Sequence, residues 1–456
     1  MKNLTTGNPT RLLLRFTLPL VLGGLLHQAY QITDAAVVGR VLGAEALAAV
    51  GSVGALIFLL QGFGWGSTNG LAIPVAKAFG ANDLVETRRR VAAGAYVAIA
   101  VAASVSFIGL VFGRPILNLM AIPNYLLTDA ALYLQILISG TVFTTVFAYL
   151  AAVLRAVGDS KTPVYFGVAS QLINAGLTIW FVFGLRLGIA GAASSTIIAQ
   201  FLSLTICLTY TARKLKDIIP SRSEWRAGWR LASQSARTGL PMGLQSCSIA
   251  LGVVILQAAV NTLGGEAMAA YAAAGRIEGI VIAPLHAFNV ATITFVAQNR
   301  GAKHWLRIRN TVTRALGAVG LIALALGSFQ FFMARPLVGV FLHATAEAPI
   351  QMAVGYVRIT AFAFALLGLK FVIRGAVQGM GNSVIPTIST MLELVVRALL
   401  AFWLVNRFGL VGIAVAAPLA WTVAVGLNSV AWLRIRRTLL ARHRASMVNA
   451  EYVVVA

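Results

Sequence analysis

The sequence predicts an all-α membrane protein, with twelve transmembrane helices in two parallel six-helix repeats, an N-lobe and a C-lobe. Three observations predict it. The chain is 59% hydrophobic and 11% charged over 456 residues, whereas a soluble domain is roughly half apolar and about a quarter charged. Twelve apolar runs approach the length, about 20 residues, that a helix needs to cross the hydrocarbon. Short stretches recur between the halves at an offset of 221 to 223 residues.

In the first half the runs are Leu13–Val38, Ala46–Val75, Val91–Phe112, Ala131–Leu154, Val164–Phe183 and Ile189–Tyr210. In the second half they are Leu240–Leu263, Ala269–Val296, Val312–Ala334, Met352–Ile373, Ile385–Val405 and Val411–Leu433. They are too long and continuous for barrel strands, which alternate with a period of two. The first run has no small-residue cleavage site beside it and reads as a retained helix.

The repeat is visible in several places. "LGAEALAAVG" at Leu42–Gly51 returns as "LGGEAMAAYA" at Leu263–Ala272. "VAKAFGA" at Val75–Ala81 returns as "VAQNRGA" at Val296–Ala302, and "GDSKTP" at Gly158–Pro163 as "GNSVIP" at Gly381–Pro386. Six spans per half is an even number, so both halves enter from the same side and the repeats are parallel.

The net charge is +23, from 36 Lys and Arg against 13 Asp and Glu. On a soluble fold this would suggest nucleic acid. Here the basic residues gather in particular loops, so no nucleic acid is expected. Alternating the loops puts 28 of the 36 on the N-terminal side, 5 on the other side and 3 within spans. Both termini are therefore expected in the cytoplasm, on a multi-pass protein of the inner or plasma membrane. The expected boundaries are an N-lobe over 1–211, a basic cytoplasmic linker over 212–238, a C-lobe over 239–437 and a cytoplasmic tail over 438–456.

No enzyme constellation is present. The chain has no phosphate-cradling Gly-rich loop and no metal-spaced His/Cys cluster. Cys207 and Cys247 read as small buried hydrophobes. No loop could hold a nucleotide domain, so energy for transport must come from an ion gradient or the substrate's own gradient.

Polar residues within the spans are the candidates for function. Asp34 leads them, because an unpaired carboxylate in hydrocarbon costs several kcal/mol and its span offers no basic partner. Gln28 and Tyr30 share that span, and Gln61 lies in the second. Gln171, Asn174 and Thr178 have the spacing of one helix side in the fifth. Thr196 and Gln200 lie four apart in the sixth. For Gln61 or Gln200 alone, interhelical hydrogen bonding is the simpler reading. In the second half, Arg276 and Glu278 are two apart and do not face each other. Glu393 and Arg397 have ion-pair spacing and read as a structural pair.

At these residues the chain resembles the multidrug and toxic compound extrusion (MATE) transporters. The resemblance rests on "PLVLGGLLHQAYQITDAAVVGRVLG" in the first span and "GLPMGLQSCSIALGVVILQ" in the seventh. "LRAVGDSKTP" and "VQGMGNSVIP" are similar to that family's paired turns. It covers roughly Asn8 to Arg437. It implies an exporter of cationic or amphipathic organic compounds whose N-lobe and C-lobe stand around a central cleft and which works by alternating access, coupled to H+ or Na+ and needing no other cofactor. Small organic substrates and the bilayer are its implied partners, and the chain is expected to act as a monomer.

In the family's proton-coupled, DinF-like branch the carried charge is an Asp on the first helix, which matches Asp34. An Asn on the fifth helix matches Asn174, and a Thr on the sixth matches Thr196. Where that branch can show a second Asp, this chain has Thr178. The acids that the Na+-associated NorM-like branch places on the seventh and tenth helices have no counterpart here, so the resemblance favours proton coupling through Asp34. The alternatives are a Na+-coupled exporter of the same family and a lipid-linked precursor flippase of the wider superfamily.

Overall fold

The structure is a computed structural model that describes residues 3–120, 122–342 and 346–455. The side chains of residues 30–45, 47, 48, 442 and 444–455 lie outside that description, so Tyr30 and Asp34 fall outside the described residues as functional groups.

The described chain is helical. In order it forms α1 (Pro9–Gly80), α2 (Leu84–Leu119), α3 (Asn124–Ser139), α4 (Thr141–Ala156), α5 (Lys161–Ile179) and α6 (Gly188–Lys214). Then come α7 (Arg222–Asn261), α8 (Gly265–Gly301), α9 (Trp305–Phe332), α10 (Ala334–Gly339), α11 (Glu347–Ala361), α12 (Ala363–Gly379) and α13 (Val384–Val455). Among the described residues, nine segments are long and apolar enough to span a membrane. The pairs α3/α4 and α11/α12, bent by 46° and 47°, each make one further span. Gly409, at φ 55° and ψ −134°, breaks α13 into two helices. Counted this way, the spans are the twelve that the sequence predicts. Phe107, Leu172, Leu321 and Phe332 are each more than 60% exposed, as suits side chains that face lipid.

The backbone carries the duplication as well as the sequence does. Left-handed residues recur in matched pairs: Asn82 (φ 57°) with Lys303 (φ 59°), Gly158 (φ 85°) with Gly381 (φ 81°), and Gly188 (φ 57°) with Gly409 (φ 55°). The Gly158 and Gly381 turns suit a residue without Cβ. The residues just after these two turns match as well. Asp159 Oδ1 accepts from the N–H groups of Lys161 (3.1 Å) and Thr162 (3.0 Å), and Asn382 Oδ1 accepts from that of Ile385 (3.2 Å). The repeated motif thus encodes a turn and the cap of the next helix.

The chain forms two compact units. The first contains Leu22–Ala250, and the second contains Asn3–Val21 with Leu251–Ala456. So α1 and α7, the opening helices of the two repeats, each contribute to both units.

In the first unit, glycines let α1 and α7 approach backbone to backbone. A Cβ on Gly70 would lie 2.4 Å from the Thr238 carbonyl oxygen, and one on Gly66 would lie 2.4 Å from that of Met242. Gly239 and Gly243 meet Leu71 and Ser67 from the other side. Each helix thus presents a Gly-xxx-Gly stripe, which favours association where apolar burial gives helices no net drive. The stretch at 212–238, expected as a basic linker, contains the start of α7. Ser221 and Glu224 cap that start, and Glu224 pairs with Arg88 at 2.7 Å. Tyr96 packs edge-on against both Trp225 and Trp229, each at 5.3 Å.

In the second unit, Leu4, Leu13 and Phe16 are buried with Phe288, Phe295 and Ile308. The chain before α1 is also held by hydrogen bonds. Leu4 N–H donates to Gln298 Oε1 (2.9 Å), and Arg307 donates to the carbonyls of Gly7 (2.7 Å) and Leu4 (3.2 Å). Gly375 and Gly379 of α12 bring that helix against the backbone of α8 at Asn289 and Ile293.

Candidate functional site

The first unit holds a partly open cavity of about 420 Å³. Each wall follows from local sequence. On α5, Gln171 and Asn174 are three apart and face the same way, which brings both into the lining. On α6, Thr196 and Gln200 are four apart and join them. From α1 come His27, Gln61, Trp65 and Asn69, and from α3 and α4 come Tyr133, Phe147 and Arg155.

The polar side chains are organised in pairs across helices. Asn174 Nδ2 donates to Thr196 Oγ1 at 3.1 Å, and that hydroxyl donates to the Ala192 carbonyl (3.3 Å). Gln171 Nε2 donates to His27 Nδ1 at 3.1 Å, tying α5 to α1. Arg155 Nη2 donates to Asn69 Oδ1 at 3.0 Å. Gln200 Oε1 is buried with no hydrogen-bond partner among the described residues, which leaves an acceptor for a bound molecule.

The structure sorts the residues singled out from sequence. Gln61, Gln171, Asn174 and Thr196 come together at the cavity. Thr178 is buried but hydrogen-bonds to Ser195 (2.7 Å) outside the lining, and Gln28 does not line the cavity either. Asp34 and Tyr30 lie outside the described residues. Arg276 and Glu278 belong to the second unit, where Arg276 is exposed and Glu278 is half-buried. Sequence reasoning missed Arg155, which closes the fourth run and reads there as loop charge.

The second unit holds a buried ionic cluster. Lys370 Nζ lies 3.1 and 3.0 Å from the two carboxylate oxygens of Glu393, and Arg397 pairs with the same carboxylate from one turn along α13. The Glu393–Arg397 pair is as the sequence spacing predicts. Lys370 and Arg374 correct the loop count: both are buried within α12. Lys370 also lies 5.6 Å from the Trp421 ring, and Arg374 lies 4.8 Å from that of Phe371. Arg374 donates to Asn289 Oδ1 (3.3 Å) and forms no ion pair among the described residues.

This fold, with two units built from duplicated six-span halves, matches known structures along nearly its whole length. A solved outward-facing multidrug resistance MATE family transporter of the MOP superfamily superposes with a TM-score of 0.84 at 21% identity. The match covers 97% of this chain and 99% of that one. A MATE crystal structure in the bent conformation gives 0.84 at 21% identity, covering 97% and 98%. At that identity these likenesses establish the fold. The MatE family model matches residues 19–180 and 241–403, one segment in each half. The chain belongs to the MatE family.

Among the relatives, a probable multidrug resistance protein of Bacillus subtilis, YpnP, is 28% identical over 406 residues, covering 88% of both chains. The multidrug export protein MepA of Staphylococcus aureus is 22% identical over 453 residues, covering 97% of this chain and 96% of that one. The matched MatE segments contain every polar residue of the cavity except Thr196 and Gln200, which lie beyond residue 180.

Proposed function

We propose that this MatE-family chain is a secondary active exporter of cationic or amphipathic organic compounds, driven by proton influx through Asp34 and working by alternating access. The observation that carries the reading is the convergence of polar groups from four helices on one cavity in the half that holds Asp34. A volume of about 420 Å³ suits a small organic molecule, since ligand pockets run from about 300 to 1,000 Å³. Trp65, Tyr133 and Phe147 offer aromatic faces to a cation or a flat ring. Arg155 is a fixed cation in the lining, and in this proposal the counter-charge for a cationic substrate comes from ionised Asp34. Protonating Asp34 removes that counter-charge, and a ligand bound unequally by two states shifts their populations.

In the second unit, Glu393 is not available to sodium. A hard cation needs several oxygen ligands. Both oxygens of the buried Glu393 are already taken by Lys370, one of them also by Arg397. The remaining surplus of Lys and Arg on the N-terminal side supports cytoplasmic termini.

The test is ethidium efflux from proteoliposomes under separate pH and sodium gradients. A pH gradient should drive uphill efflux and a sodium gradient should not, and Asp34→Asn should abolish the pH-driven component while the protein remains folded. Uphill export by Asp34→Asn would overturn the coupling assignment.

A further inference from the structure

The second unit carries a groove of about 810 Å³ that the transport reading leaves unused. One end is polar, formed by Asn8, Thr10, Arg11 and Arg15 around the start of α1. The remainder is mainly apolar, formed by Leu14, Leu18 and Val21 of α1, Pro284 and Phe288 of α8, and Ile322 of α9, with Thr17, whose hydroxyl donates to the Leu13 carbonyl, among them.

Three features of the polar end point to an anion. Arg11 and Arg15 are four apart, so both guanidinium groups share one helix face. Both are exposed and neither forms an ion pair among the described residues, while no acidic residue lines the groove. Thr10 Oγ1 is buried and has no hydrogen-bond partner among the described residues. Two like charges one turn apart repel, and an incoming anion removes that repulsion.

The apolar end asks for hydrocarbon. Leu14 and Leu18 are 42% and 60% exposed beside the packed Phe288. The wall that holds them is fixed, because Arg307 and Gln298 pin the preceding residues Leu4 and Gly7. An anionic head joined to an acyl chain satisfies both ends. A cationic amphiphile, the class proposed for export, would meet like charge.

We propose that this groove binds one anionic phospholipid from the leaflet on the N-terminal side. Its phosphate sits on Arg11 and Arg15, and an acyl chain lies along Leu18, Phe288 and Ile322. Basic pockets between transmembrane helices on the cytoplasmic side bind anionic head groups in this way. The site does not depend on which ion drives transport.

Native mass spectrometry of the purified full chain tests it, with phosphatidylglycerol and phosphatidylcholine as probes. Wild type should retain one phosphatidylglycerol where phosphatidylcholine is not retained. The double variant R11Q/R15Q should weaken that binding by about thirtyfold, the loss of two surface cations. I322W should also lose the lipid, by filling the groove while leaving both arginines. R213Q/K214Q, which removes two exposed cations elsewhere on the same side, should keep it. Equal retention of the two lipids overturns the proposal, as does an equal loss in R213Q/K214Q. So does unchanged binding in I322W, the variant that decides the matter if R11Q/R15Q fails to fold.

Discussion

Lys370 and Glu393 form a two-point ion pair between α12 and α13, with Nζ 3.1 and 3.0 Å from the carboxylate oxygens. Their side chains are 7% and 6% exposed. Arg397 shares the carboxylate, and Arg374 stands one turn from Lys370 on its own helix. The second unit thus gathers Lys370, Arg374 and Arg397 around Glu393, whose two carboxylate oxygens are both engaged. Taking such charges out of water is costly, and the pair holds only while each charge has its partner.

Neutralising Glu393 should therefore destabilise the protein far more than its neighbours suggest. Glu393→Gln leaves buried cations uncompensated and should cost about 3–5 kcal/mol, the usual result of breaking a buried pair from one side. Exchanging the charges, Lys370→Glu with Glu393→Lys, should rescue only part of this. The exchange restores one attraction but puts a new cation beside Arg397. Thermal unfolding in detergent reads the order. A full rescue would show that Arg397 is not coupled to the pair.

Thr196 and Thr178 separate cavity chemistry from packing. Thr196→Val removes the acceptor of Asn174 inside the cavity. Substrate affinity should fall about fivefold, as expected for one hydrogen bond of about 1 kcal/mol. Thr178→Val breaks the bond to Ser195 outside the lining. It should cost about 1–2 kcal/mol of stability and leave transport of folded protein unchanged. The measurement is concentration-dependent efflux of ethidium beside unfolding temperature. The reverse pattern would move the working site from the cavity toward Thr178.

Much of this was legible in the sequence. Run length gives the spans, and the recurrence of "GDSKTP" as "GNSVIP" foretells matched turns at Gly158 and Gly381, because each turn needs a left-handed residue followed by a capping side chain. The facing of Gln171 and Asn174 follows from helical spacing alone. Lys370 was not legible. A cation near the end of an apolar run reads as a loop residue, and its partner is 23 positions away on another helix. Arg155 escaped for the same reason, since only Asn69 on α1 reveals its direction. The division of α1 at Val21 was also hidden, because an unbroken apolar run carries no mark of which neighbours its two ends meet.

The Gly-xxx-Gly stripes of α1 and α7 allow the sharpest structural prediction. At Gly70 the space for a Cβ is taken by the Thr238 carbonyl oxygen, 2.4 Å away, and by the Gly239 Cα, 2.8 Å away. These are backbone atoms, so no side-chain rotation makes room. Gly70→Val must push the helices apart and lose their close contact, at a cost of about 1–3 kcal/mol or more. By contrast, a Cβ on Gly62, two turns earlier on the same helix, meets only the Ser246 Cβ at 4.0 Å, an ordinary contact. Gly62→Ala should therefore be neutral or slightly stabilising through helix propensity. Unfolding temperatures of the two variants in one detergent check both. If Gly70→Val were as stable as Gly62→Ala, the close approach of α1 and α7 would not be present in the folded protein.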